Sequence, residues 1–247
     1  MCRGDASGGV HTSNLGIEST KIYTRITLSA ITINALLPGN KDNRTDLWDF
    51  PSIAILTRAF IETCHRYFYL SEPGLSDSES AFRLKLFYFH MNSEKYRLYK
   101  EFGASQDAIK DFEENLPHAK SDLISSPIYC GLPKYKAEKI KSGNAGMHLT
   151  DDEVAAHFSL VGGHFKPIYR LLSNLSHGSP FATYSQSNER GRGMENEAEK
   201  NYLVLMLKLL NQYLSRVILS QVALLSIERV NPDGYRYAQE TFSTEHT

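Results

Sequence analysis

Residues 202–226 read YLVLMLKLLNQYLSRVILSQVALLS, the most apolar stretch of the chain. It is long enough to span a bilayer. Yet Lys208, Asn211, Gln212, Ser215, Arg216 and Ser220 recur along it at helical spacing. A spanning helix would expose that polar stripe to lipid, at several kcal/mol for the charged groups. The opposite face, Leu203, Met206, Leu207, Leu210, Leu214, Val217, Ile218 and Leu225, has the periodicity of a helix that buries one side. The stretch therefore reads as a long core helix and not as a membrane anchor. It starts near Asn196 and stops before Asn231-Pro232-Asp233-Gly234.

The same preference runs through the rest of the chain. There are 28 Leu and only 7 Val, and sheets favour β-branched residues whereas helices accept Leu readily. An all-α fold is expected. Helical patterns with stop signals recur: residues 18–37 before Pro38-Gly39, a helix around Pro51 running to Leu70, and one from Ser78 or Ser80 to Phe102. Further helices are expected over 106–115, from Thr150-Asp151-Asp152-Glu153 to Gly162, and over 164–177. No solenoid repeat is present. The expected organisation is a disordered tail over 1–16, a single helical domain of six to eight helices over 17–230, and a C-terminal tail over 231–247.

With 27 Lys+Arg against 28 Asp+Glu, the formal net charge is −1. That argues against a whole-surface grip on nucleic acid and leaves room for local basic patches, such as Lys134, Lys136, Lys139 and Lys141. Three widely spaced cysteines, Cys2, Cys64 and Cys130, form neither a disulfide framework nor a thiolate metal site, and they suit a reducing cytoplasm. No phosphate-cradling glycine motif, hydrolase nucleophile elbow or zinc spacing occurs, so neither a cofactor nor a metal is expected.

Two constellations carry potential chemistry. On the helix ending at His177, Ile168, Leu171, Leu172 and Leu175 define a core face, while Lys166, Arg170, Ser173, Asn174 and His177 define a polar one. Arg170 and His177 are seven residues apart, hence about 10 Å along one face. Such a face is also what any solvated helix presents. With chemistry in view, attack of an RNA 2′-hydroxyl on the adjacent phosphate needs a proton carrier active near neutral pH, as His is. It also needs a fixed cation for the phosphoryl charge, as Arg is. The second constellation is Arg58, Glu62, His65 and Tyr69, a narrow ionisable stripe at i, i+4, i+7 and i+11 on an otherwise apolar helix. Arg58 and Glu62 can pair within the helix, fixing its register. A buried ionic stripe demands a polar partner, and the face bearing Arg170 and His177 is the candidate.

The segment Tyr169-Arg170-Leu171-Leu172-Ser173-Asn174-Leu175-Ser176-His177 resembles the Arg-x(4–6)-His signature of the HEPN superfamily, here with six intervening residues. Leu56-Thr57-Arg58-Ala59-Phe60-Ile61-Glu62 resembles the Arg-x-x-x-Glu helix of a prokaryotic HEPN-like family of unknown function. The resemblance spans roughly residues 49–223, though these two short stretches carry it. It implies a helical bundle that pairs as a homodimer and, in active members, cleaves RNA without metal as a toxin or antiviral defence effector. By this resemblance Arg170 and His177 are the catalytic pair, Ser173 and Asn174 orient the site, and Arg58 and Glu62 support it. An antitoxin or defence-system partner is implied in the same way. HEPN nucleases often carry a polar residue directly after the motif arginine, where this chain has Leu171. The competing expectation is a non-catalytic module that dimerises or binds a nucleotide or partner.

Overall fold

The computed structural model describes residues 12–39, 48–160, 165–176, 180, 193–228 and 230–244. Ten helices lie among them: α1 (Asn14–Leu36), α2 (Phe50–Ser71), α3 (Asp77–Glu101), α4 (Gln106–Ile124), α5 (Pro127–Cys130), α6 (Lys134–Lys141), α7 (Asp151–His157), α8 (Phe165–Ser176), α9 (Glu197–Leu225) and α10 (Pro232–Thr244). Among the described residues the extended structure is one antiparallel bridge, Trp48 to Gly193. The fold class is all-α, as the leucine-rich composition required.

The count exceeds six to eight through three further helical segments, one of them in the stretch 131–146, which reads as a loop or a short helix. Two are the short α5 and α6. The third lies in the span expected as a C-terminal tail: Asn231-Pro232-Asp233-Gly234 stops α9 and also starts α10. There Asn231 Oδ1 accepts from Gly234 N at 2.9 Å, and Pro232 takes the first helical position, where no N–H is missed. At the other end Ser13 caps α1, its hydroxyl accepting from Gly16 N at 3.1 Å. The helix therefore begins inside the span expected to be a tail, the first eleven residues of which lie outside those described. The stretch from Pro117, which can extend or follow the helix expected over 106–115, extends it: α4 runs through Pro117 to Ile124.

The chain forms two compact units, one from Met1–Ser71 with Asp151–Thr247, the other from Glu72–Thr150. The inserted unit is bracketed by Pro73-Gly74, with Gly74 at φ +77°, and closes its own core of Phe82, Leu86, Phe89, Leu123 and Ile140. Arg83 is buried in it between Glu72, at 2.6 Å, and Glu79, at 2.7 Å.

In the first unit α2 is the centre, packed by α1, α7, α8 and α9. Four consecutive residues near its C-terminus, Tyr67, Phe68, Tyr69 and Leu70, are all buried, as expected of a helix covered on every side. By length and composition α9 could cross a membrane, but its inner face packs on α2 and α1. Leu203, Met206, Leu210, Val217 and Leu225 are buried as their spacing required, with Leu209, Tyr213 and Val222. Ser215, placed on the polar stripe by periodicity, is buried instead. Gln221 is buried too, accepting from the Tyr67 hydroxyl at 3.1 Å and donating to Thr20 Oγ1 at 3.0 Å.

Candidate functional site

The α2 stripe is where the polar groups of the first unit converge. Arg58 Nε donates to Glu62 Oε1 at 3.0 Å, one turn along the same helix. From α8 the Tyr169 hydroxyl donates to the same carboxylate oxygen at 2.7 Å and accepts from Arg58 Nη2 at 3.1 Å. The guanidinium also sits 5.1 Å from the centre of the Tyr169 ring, a favourable cation–π placement. The three groups form a closed triangle in which each satisfies the other two. Burial works against the Arg58 charge, but the hydrogen bonds from Tyr169 and Glu62 outweigh it and raise its pKa. Burial, reinforced by the Glu62 carboxylate, raises the Tyr169 phenol. The Arg58 guanidinium is thus held in its charged form and the Tyr169 phenol in its neutral one.

One turn further, His65 is fully buried. Its Nδ1 lies 2.8 Å from Asp151 Oδ1, at the start of α7, and its Nε2 lies 2.9 Å from the Tyr213 hydroxyl on α9. The Phe165 ring covers it at 5.0 Å. Burial alone would raise the Asp151 carboxyl, but the His65 hydrogen bond and the charges of His65, Arg66 and Arg58 bring it below its ordinary value. Burial pushes the Tyr213 phenol well up. An ionised Asp151 can accept the Nδ1–H of His65, and Nε2 faces the Tyr213 hydroxyl. The chain Asp151–His65–Tyr213 ties α7, α2 and α9 together, and its histidine and tyrosine are sealed from solvent.

The residues expected to form the site are distributed differently. Arg58 and Glu62 pair as their spacing predicted. Among the described residues their partner across the helix gap is Tyr169 and not Arg170. The reason is angular: successive residues of a helix point about 100° apart, so the side that seats Tyr169 on α2 turns Arg170 outward. Arg170 is exposed and has no hydrogen-bond or ion-pair partner among the described residues. Ser173 and Asn174 are half-buried on the same helix. His177 lies outside the described residues. Sequence reasoning passed over Tyr169, Asp151 and Tyr213. The demand of a buried ionic stripe for a partner was the available signal, since a tyrosine beside the motif arginine offers both a donor and an acceptor.

Where α7 meets α8 a cleft of about 690 Å³ opens, lined by Asp152, Glu153, Ser159, Leu160, Phe165 and Lys166. Lys166 Nζ lies 3.4 Å from Asp152, so its mouth carries both signs of charge. Among the described residues no group of three His, Cys, Asp or Glu side chains is placed to hold a metal ion.

Fold and site together define an all-helical protein with a central helix stapled to its neighbours by an Arg–Glu–Tyr triangle and a buried Asp–His–Tyr chain. No protein-family model matches the chain, and no curated protein or solved structure matches it either.

Proposed function

We propose that the protein is a HEPN-like, metal-independent endoribonuclease that acts in the cytoplasm as a homodimer, in the role of a toxin or defence effector. The observation that supports this most is Arg170: an exposed, unneutralised cation whose immediate neighbour Tyr169 is anchored to α2. A cation so placed is preorganised to meet a phosphate instead of being spent on an internal carboxylate. In the proposed reaction the RNA 2′-oxygen forms a bond to phosphorus and the bond from phosphorus to the 5′-oxygen breaks. His177 carries the proton, taking it from the 2′-hydroxyl or delivering it to the leaving oxygen, and Arg170 stabilises the phosphoryl oxygens. Ser173 and Asn174 orient the site, and the Arg58–Glu62–Tyr169 triangle holds α8 in place. A cognate antitoxin or defence-system partner would restrain the activity.

A second reading has an observation in its favour. The α2 stripe is internally satisfied, which suits a non-catalytic module that dimerises or binds a nucleotide or partner through the α8 face. Incubating the purified protein with mixed RNA in EDTA, beside Arg170→Ala and His177→Ala, separates the two. Cleavage lost in both variants supports the nuclease; equal RNA survival with all three proteins leaves the module.

A further inference from the structure

We infer that α6 in the inserted unit is a single-stranded RNA contact, built from Lys134, Lys139 and Lys141 around an exposed Tyr135. Four lysines and one glutamate occupy its eight residues, with no acidic residue in the first turn and Lys139 and Lys141 in the last. The two lysines at the start face the positive end of the helix dipole, an arrangement that opposes helix stability and concentrates positive potential. Lys134, Lys139 and Lys141 are exposed and form no ion pair among the described residues. Glu138 shares their outward side and leaves it net positive. The opposite side is anchored by Ile140, fully buried in the core of the inserted unit, and the Tyr129 hydroxyl donates to Ala137 O at 3.2 Å. The following turn is held as well: His90 Nδ1 lies 2.8 Å from Gly143 O.

Tyr135 is 60% exposed amid these charges. Lysines that follow a phosphate backbone beside an aromatic face on which a base stacks are the elements of sequence-tolerant single-strand binding. A lipid surface fits less well, because the apolar residues of α6 face the core and leave no apolar side to enter a bilayer. The net charge of −1 requires any RNA contact to be local, and α6 supplies one. This extends the reading of RNA as substrate and can fail separately from it.

The test uses the full chain carrying His177→Ala, to prevent cleavage, and fluorescein-labelled single-stranded RNA of mixed sequence in EDTA. Anisotropy gives affinity across a salt series. Lys134→Gln, Lys139→Gln and Lys141→Gln together are expected to weaken binding roughly tenfold or more. They should also lower the salt slope by about 0.7 for each phosphate no longer neutralised, about 2 in all. Tyr135→Ala is expected to weaken binding by about fivefold or more without changing that slope. Circular dichroism checks that the variants, all at exposed positions, remain folded. Unchanged affinity and slope in both variants would overturn the proposal. So would binding to phosphatidylserine-containing vesicles that the triple variant loses while RNA binding is unchanged. Loss of RNA binding with Arg170→Ala but not with the α6 changes would sink this contact alone. Absence of any RNA binding by the protein with α6 unaltered would overturn both this contact and the nuclease.

Discussion

Removing a single oxygen from Tyr169 probes how α8 is held. Tyr169→Phe keeps the ring, and with it the contact 5.1 Å from the Arg58 guanidinium. It deletes the donor to Glu62 at 2.7 Å and the acceptor for Arg58 at 3.1 Å. A hydrogen bond to a charged group contributes about 1.5–3 kcal/mol. Arg58 and Glu62 are 23% and 28% exposed, so water recovers part of the loss and the lower end, about 1.5 kcal/mol, is expected. The Arg58–Glu62 pair survives the change, because it is an i, i+4 contact within one helix. Combining Tyr169→Phe with Glu62→Gln should therefore be non-additive by about 1 kcal/mol, since both remove the same bond. Urea unfolding followed by the emission of Trp48, the only tryptophan and a member of the same unit, measures both quantities. A Tyr169→Phe loss below about 0.5 kcal/mol, or a strictly additive cycle, would refute the claim that this hydroxyl fixes α8.

Three further changes test the frame around the site. His65→Ala removes a fully buried ring and strands both Asp151 and the Tyr213 hydroxyl, so a loss of about 3–5 kcal/mol is expected; a loss under about 1 kcal/mol would show that the chain does not tie the three helices. Asp151 has a depressed folded pKa, so its contribution is present above the unfolded carboxylate value and disappears as pH falls through the folded one. Asp151→Asn should accordingly be less stable at neutral pH and show a flatter melting temperature between about pH 5 and pH 2; an unchanged acid limb would contradict the pairing. Gly143 sits at φ +74° with Ser93 only 2.6 Å from where a Cβ would stand, so Gly143→Ala should destabilise the inserted unit by about 1–3 kcal/mol. Faster hydrogen exchange at α6 amides would register it, and wild-type exchange rates would argue against that packing.

The helical class could be read from residues alone because Leu usage and 3.6-residue periodicity are local properties, and α9 shows how far they reach. Its inner face follows from spacing, whereas Ser215 is buried against the pattern because tertiary packing, not polarity, decides which side a partner covers. Arg58 and Glu62 were legible for the same reason: one turn of one helix brings them together. Tyr169 was not, since it falls between the core face and the polar face of α8 and gains meaning only once α2 lies beside it. Asp151 read as a helix-start acid and nothing local sets Tyr213 apart, yet each is a partner of His65 across 86 and 148 residues. The division into two units escaped notice because Pro73-Gly74 looks like any turn until the residues after it close a core of their own. Asn231-Pro232-Asp233-Gly234 carries both a stop and a start, and only the start reveals α10.

The proposed nuclease turns on Arg170, and RNA cleavage in EDTA measures its role most directly. The wild-type protein is predicted to cut mixed RNA, with Arg170→Ala slower by about a hundredfold or more, the scale expected when a preorganised charge is removed from a transition state. RNA left intact by the wild type, or cut equally fast by Arg170→Ala, would contradict it.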